Sequence, residues 1–391
     1  MIVNIKEKLV MFHETDFNQK LFEGEIPLEH GMSYNSYLFL DEKTCLLDTS
    51  SREVKDTFFK ELSETLNGRE LDYIIIHHIE PDHTASIRDV MKKYPKAQIY
   101  ISMIGSTFFK NFFPDLCHLK FNIIKEGDTL PLGSHTLRFI SAPMVHWPEV
   151  MMSYEENNQI LFSADAFGSF VTSSNPYERN YENKALLLSE SRRYFTNVIS
   201  KYTSSVLNLV TKIKTLPIKM ILSLHGLIHQ QNIPTLFSWY GKWCTYTPEE
   251  DGVLILYASI YGHTKEAALY LEKGLHARGI KTTTRTLNLV DVSYALSDSF
   301  IYSKIILLAP TFNVGLYPKM EIYLRTLIEH GVQNKHFYLI ENGSWAPQAK
   351  ELMKKYIGEL SNCTIDPLSL TIKSALKLTD YPILDNIIEN V

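Results

Sequence analysis

His77-His78-Ile79-Glu80-Pro81-Asp82-His83 follows directly on Leu71-Asp72-Tyr73-Ile74-Ile75-Ile76, and the reading of that junction decides the first half of the chain. The apolar run predicts a buried strand, so the polar groups fall where the strand breaks into a loop. Site residues favour such places. Within the loop His78, Glu80, Asp82 and His83 fall at the spacing His-x-Glu-x-Asp-His, and Pro81 fixes the backbone between two of the carboxylates. Imidazole and carboxylate without thiolate suit a divalent transition metal of borderline hardness, such as iron, manganese or zinc. Any one of these residues alone reads as well as a polar cap on the next helix, through Asp82 or Thr84. The four together point to metal.

At 391 residues the chain is too long for one ordinary core, which implies two or three domains. A net charge of -5 with no basic block excludes a nucleic-acid binder. No apolar run is long enough to span a membrane, and the opening Met1-Ile2-Val3-Asn4-Ile5-Lys6-Glu7-Lys8 carries charges where a signal peptide needs an apolar centre. The expectation is a soluble, cytoplasmic protein with no membrane partner. Cys45, Cys117, Cys244 and Cys363 form no Cys-x-x-Cys pair, so neither a disulfide framework nor a cysteine-bound metal or iron–sulfur module is expected.

Around the opening motif the pattern alternates. Tyr34 to Leu40 and Cys45 to Asp48 predict a hairpin, Glu53 to Leu66 a helix, Thr84 to Tyr94 another helix, and Gln98 to Ser102 a strand. Residues 121–143 read mostly as strands, 159–163 as a strand, 188–212 as one long helix, and 219–224 as a strand. His146, Asp165 and His225 each lie just past an apolar strand, as the first cluster does. Side chains at strand ends from different parts of a sheet can converge on one site. Read singly, His146 could pack on Trp147, Asp165 could cap a helix and His225 could be a core histidine. His13, His30, His77, His118, His135 and His229 lack this placement.

Residues 245–252 are polar with Pro and Gly and read as a linker. Beyond them strands at 253–258, 304–309 and 336–340, with weaker ones at 282–287 and 364–369, alternate with helical periods, which predicts an open parallel sheet binding ligands at its carboxyl edge. Three loops fall at that edge. Ser259-Ile260-Tyr261-Gly262-His263-Thr264 offers hydroxyls, a glycine and free helix-start amides to a phosphate. It is neither Gly-x-Gly-x-x-Gly nor a P-loop. Pro310-Thr311-Phe312-Asn313 and Asn342-Gly343-Ser344-Trp345 offer polar backbone and aromatic faces, as a flat ring needs. An ordinary strand-to-helix turn, and Trp345 as a core aromatic, are the plainer readings.

The set His78, Glu80, Asp82, His83, His146, Asp165 and His225, with the flanking words Pro143-Met-Val-His-Trp-Pro148 and Phe162-Ser-Ala-Asp-Ala-Phe-Gly168, resembles the ligand pattern of the flavodiiron proteins, also called A-type flavoproteins. The three later loops resemble the flavin mononucleotide (FMN) site of flavodoxins, the second domain of that family. The resemblance implies an α/β chain with a metallo-β-lactamase-like αββα domain over residues 1–249 and a flavodoxin-like doubly wound parallel sheet over 250–391. It implies one iron at His78, Glu80 and His146, another at Asp82, His83 and His225, and Asp165 bridging them. Ser259, Tyr261, Gly262, His263 and Thr264 would hold the FMN phosphate, and Pro310, Thr311, Phe312, Asn313, Gly343, Ser344 and Trp345 would surround the ring. Many relatives carry a glycine immediately before the tryptophan, where this chain has Ser344. Hydrolytic members of the wider fold typically carry histidine where this chain has Glu80, and a carboxylate there favours a redox metal over zinc.

The activity implied is reduction of dioxygen to water, nitric oxide to nitrous oxide, or both. Electrons would come from a separate donor, a rubredoxin-like protein or a reduced cofactor. A head-to-tail homodimer, or a dimer of such dimers, would bring each flavin to the partner's irons, with Tyr261 facing them. The alternatives are a zinc hydrolase fused to a flavodoxin module and a non-catalytic flavin electron carrier.

Overall fold

The strand Tyr73–Ile76 lies inside a seven-stranded sheet whose order is Ile2–Lys6, Leu9–Asp16, Met32–Leu40, Thr44–Leu47, Tyr73–Ile76, Gln98–Ser102 and Phe121–Ile124. Its neighbours on both sides are parallel to it, and Ile74, Ile75 and Ile76 are all buried. Burial on both faces explains a run of isoleucines in place of alternation. On one face Ile74 and Ile76 join Val10, Phe12, Leu38 and Leu46 against Phe58, Leu62 and Leu66 of the helix Lys55–Leu66. Those three fall at a spacing of four, one stripe of a helix. The helix stops where Asn67 takes a left-handed φ of 45° and its amide bonds back to Ser63 O.

The other face meets a five-stranded sheet, Thr129–Pro131, Thr136–Ser141, Met151–Glu155, Ile160–Phe162 and Met220–Leu222. Phe162 packs edge-on against Tyr37 and Phe39 at centroid distances of 5.1 and 5.7 Å, and Tyr37 OH donates to Ser223 O at 2.6 Å. The computed structural model describes residues 1–391, which divide into the compact units Met1–Tyr240 and Gly241–Val391. The first is the metallo-β-lactamase-like sandwich. The second is a five-stranded parallel sheet in the order Thr282–Thr286, Val253–Tyr257, Lys304–Phe312, His336–Asn342 and Thr364–Ile372, with Gly315–Leu316 paired on Lys304–Phe312. Numbered along the chain, the parallel strands run 2-1-3-4-5, the flavodoxin-like doubly wound order.

Four local expectations change. Residues 77–83 are not loop throughout, because Pro81–Thr84 forms a helical turn with Pro81 in its first position and Thr84 Oγ1 bonded to Ile79 O and Glu80 O. The helix predicted over 84–94 is therefore two pieces, Pro81–Thr84 and Ile87–Lys93. The long helix predicted over 188–212 is Lys184–Tyr194, a π segment Phe195–Ile199, a short 3₁₀ turn and Thr203–Ile213. There Thr196 Oγ1 and Asn197 Nδ2 donate to Arg193 O and Ser200 Oγ donates to Thr196 O, side chains competing for the helical carbonyls. Residues 245–252 are no free linker, since Tyr246 OH donates to Gly331 O at 2.7 Å, Trp243 Nε1 to Glu249 Oε1 at 2.6 Å and the Glu249 amide to Ile301 O at 2.8 Å.

Candidate functional site

Glu80, just ahead of the turn Pro81–Thr84, faces one way and the Asp82 and His83 side chains another. His78 Nε2 lies 2.9 Å from Glu80 Oε2, and His146 Nε2 lies 3.2 Å from the same oxygen. His225 Nε2 lies 3.2 Å and His83 Nε2 3.4 Å from Asp82 Oδ2. Asp165 stands between the two groups. Its Oδ2 is 3.1 Å from His146 Nε2 and 3.5 Å from His78 Nε2, while its Oδ1 is 3.1 Å from His83 Nε2 and 3.8 Å from His225 Nε2. The ligand atoms of His78, Glu80, His146 and Asp165 lie within 4.8 Å of one another, as do those of Asp82, His83 and His225. All seven residues singled out in the first half of the sequence are thus brought to one place.

On the first side the atoms partly satisfy one another, His78 Nε2 with Glu80 Oε2 and His146 Nε2 with Asp165 Oδ2, and on the second they do not. Asp82 Oδ1 and Oδ2, His83 Nε2, Asp165 Oδ1 and His225 Nε2 are buried and have no hydrogen-bond partner of good geometry. Buried polar groups are almost always paired. Atoms this close that aim past one another, carboxylate facing imidazole, fit a pair of cations. Left to themselves the groups hold each other charged. Burial pushes the imidazoles of His78, His83 and His146 down, but the carboxylates of Asp165, Glu80 and Asp82 outweigh it, and His146 ends at about 9. Burial likewise pushes Asp165 and Glu80 up, and the surrounding histidines more than reverse it.

A second row of residues, which the sequence did not reveal, aims the first. His78 Nδ1 donates to Glu149 Oε1 at 2.7 Å, and the Ile79 amide donates to the same oxygen at 3.1 Å. His225 Nδ1 donates to Ser33 O at 2.9 Å. Gly226 follows at φ 81°, where an added Cβ would run into Ser169. Tyr34 and Tyr194 stand against His225 at centroid distances of 5.4 and 5.8 Å. Neither carried a signal in the sequence; in the structure Tyr194 ends a helix at the π segment, a distortion frequent at functional sites. A cleft of about 380 Å³ lined by Gln19, Phe22, Glu23, Tyr34, Glu80 and Asp82 reaches the cluster from solvent.

In the second unit a cavity of about 350 Å³ opens at the carboxyl edge of the sheet. Tyr261, His263, Thr264, Pro310, Thr311, Gly343 and Ser344 line it, together with Ile260, Asn342 and Ser374, of which the last was not foreseen. Ser259, Gly262, Phe312, Asn313 and Trp345 are not among its lining residues. Gly262 has φ 99°, which frees the turn into the helix His263–Ala277, and its amide donates to Ser259 Oγ at 3.1 Å. Pro310-Thr311-Phe312 belongs to a strand and not to a loop, because Thr311 and Phe312 pair with Leu316 and Gly315. Thr311 Oγ1 accepts the amides of Gln348 and Ala349 at 2.9 and 3.1 Å. Trp345 is 70% and Tyr261 89% exposed, which rules out the core reading of the tryptophan.

Residues 32–226 match the model of the ODP family of β-lactamase domains. The chain is 28% identical to an uncharacterized protein of Methanocaldococcus jannaschii over 96% of its own length and 94% of that protein's. It is also 28% identical to an anaerobic nitric oxide reductase flavorubredoxin of Vibrio vulnificus, over 82% of this chain and 65% of the relative. The rubredoxin oxygen:oxidoreductase of Desulfovibrio gigas superposes with a TM-score of 0.92 at 23% identity, covering 100% of this chain and 97% of that one. The flavodiiron protein of Giardia intestinalis gives 0.90 at 20% identity, covering 99% and 94%. No helix is long and apolar enough to cross a membrane.

Proposed function

We propose that the chain is a flavodiiron protein, with residues 32–226 as its ODP-family β-lactamase domain, and that it reduces dioxygen to water, nitric oxide to nitrous oxide, or both. One observation carries the reading: two matched sets, each of two buried imidazoles and one half-buried carboxylate, face opposite oxygens of Asp165. His78, Glu80 and His146 would hold one iron, Asp82, His83 and His225 the other, and Asp165 both. FMN would lie in the second unit with its phosphate at Ser259, Tyr261, Gly262, His263 and Thr264 and its ring beside Pro310, Thr311, Phe312, Asn313, Gly343, Ser344 and Trp345. When bound, the flavin supplies electrons singly or in pairs and the two metals a position where a diatomic gas is reduced.

The protein's own side chains do the rest. The cleft beside Glu80 and Asp82 admits a small neutral molecule and the protons that reduction consumes. Tyr34 keeps its proton, since burial and the charge of Asp82 push its phenol far up, and it donates to Gln19 Oε1 at 2.6 Å. With that proton given to Gln19, the phenolic oxygen can orient a polar group in the cleft as an acceptor. The exposed faces of Tyr261 and Trp345 suit contact with another protein, either a second copy in a head-to-tail dimer or a rubredoxin-like donor. Glu80, within reach of both His78 and His146, weighs against a zinc hydrolase.

The test is anaerobic turnover of flavin-reduced protein with dioxygen and, separately, nitric oxide, with iron, zinc and flavin quantified in the same sample. Two irons and one FMN per chain with rapid gas consumption is the expected result. Zinc in place of iron, or flavin that reoxidises only slowly to peroxide, would overturn it.

A further inference from the structure

The two ligand sets match: each has two imidazoles, one carboxylate of its own and one oxygen of Asp165. By first neighbours alone the two metal positions would be equivalent. Behind the imidazoles they differ. His78 is backed by the carboxylate of Glu149 at 2.7 Å and His225 by the neutral carbonyl of Ser33 at 2.9 Å, while the second imidazole of each set, His146 on one side and His83 on the other, has no hydrogen bond at Nδ1.

Glu149 is built into place for this contact. It is buried, its Oε1 accepts both the His78 ring and the Ile79 amide, and its own carbonyl accepts Ser102 Oγ at 2.8 Å. A carboxylate behind a ligating imidazole fixes the ring's rotation, commits Nδ1 to carrying the proton so that Nε2 faces the metal, and pushes electron density onto Nε2. A carbonyl does the first two with less charge. His83 and His146 have neither, so the two positions differ through Glu149 and Ser33 alone.

We propose that Glu149 is a positioning residue that makes the His78–Glu80–His146 position the tighter of the two, so that it fills first and empties last. The inference rests on the two-metal reading of the site. Outer partners of this kind are worth roughly 10–100-fold in metal affinity. The chain would then pass through a one-metal form with the ion on the Glu80 side, and a metal-starved sample would lose the Asp82–His83–His225 ion first.

The test uses metal-free protein of full length given one equivalent of cobalt(II), with the ion located by anomalous diffraction. Cobalt on the His78 side at about tenfold or greater excess over the other position is expected. Even or reversed occupancy overturns the ranking without any variant being needed. In Glu149→Gln, which keeps the shape and removes the charge, the excess should fall by about tenfold while affinity at the other position holds, and Glu149→Asp should restore part of it. An undiminished excess in Glu149→Gln would overturn the role of Glu149. A chain that never takes a second cobalt at any excess would instead overturn the two-metal reading itself.

Discussion

Asp48 holds His77 at two points: Oδ1 accepts the His77 amide at 2.8 Å, and Oδ2 accepts the ring Nδ1–H at 2.6 Å. The far side of the ring, Nε2, meets Ser153 Oγ at 2.9 Å, so one histidine ties the two sheets of the sandwich together one residue ahead of the first metal-site histidine. His77, which no pattern in the chain singled out, is the pin of the motif that follows it. Asp48→Ala should cost roughly 2–4 kcal/mol in urea denaturation, because it leaves a buried imidazole and amide without their acceptor. Iron content should fall in the same variant while flavin content holds, since only the first unit is touched. Unchanged iron would mean that the ligand turn does not depend on the pin.

Asp165 is the one side chain that serves both ligand sets, whereas Glu80 serves one. Asp165→Ala should therefore empty both metal positions, and Glu80→Ala chiefly the His78 side. Gas reduction should drop in both by more than the roughly 10–100-fold expected from losing an outer partner, with chemical reduction of the flavin unimpaired. Metal analysis beside oxygen and nitric oxide consumption measures this. Continued oxygen consumption without peroxide in Asp165→Ala would sink the di-iron assignment.

The seven residues of the cluster were legible as a set because their chemistry is local. Each sits within a few residues of a strand end, and strand ends announce themselves by apolar runs such as Ile74-Ile75-Ile76 and Met220-Ile221-Leu222. Glu149, Ser33 and Asp48 were not legible, since their value lies in which ring each meets across the fold. The break after Tyr194 was hidden for another reason. Its apolar period continues through the π segment, and only the hydrogen bonds of Thr196, Asn197 and Ser200 reveal that the backbone has changed pitch.

Glu178 makes a pH prediction. Burial pushes its carboxyl up, but the hydrogen bond to His229 Nδ1 at 2.7 Å, the charge of that ring and the amides of Gln231 and Asn232 outweigh burial and hold it at about 2. The folded pKa is below the ordinary 4.5, so the stabilisation is fully present above that value and is lost as pH falls from about 4.5 to about 2. With solvent screening at this partly solvated carboxylate its size is on the order of 1–2 kcal/mol. Chemical denaturation between pH 6 and pH 2.5 should show wild type losing this increment and Glu178→Gln, already lacking it, losing correspondingly less. Parallel curves for the two proteins would refute the assignment.

Asn288 offers the sharpest test of the flavin site, because it shapes the phosphate loop without lining the cavity. Its Oδ1 accepts the Ser259 amide at 2.9 Å, and its Nδ2 donates to Ser259 O at 3.0 Å and to Tyr317 OH at 2.9 Å. The first residue of the loop is thus clamped on both sides of its backbone to the turn after Thr282–Thr286. Each such bond is worth about 0.5–1.5 kcal/mol, and 1.4 kcal/mol is tenfold in affinity. Asn288→Leu should weaken FMN about tenfold or more. Riboflavin, which lacks the phosphate, should bind Asn288→Leu and wild type equally. An equal loss for both flavins would mean that the variant disturbs the whole cleft and that the phosphate does not lie at Ser259–Thr264. A loss for neither would mean that the loop keeps its shape without the clamp, held by the Ser259 hydroxyl and the Gly262 turn alone.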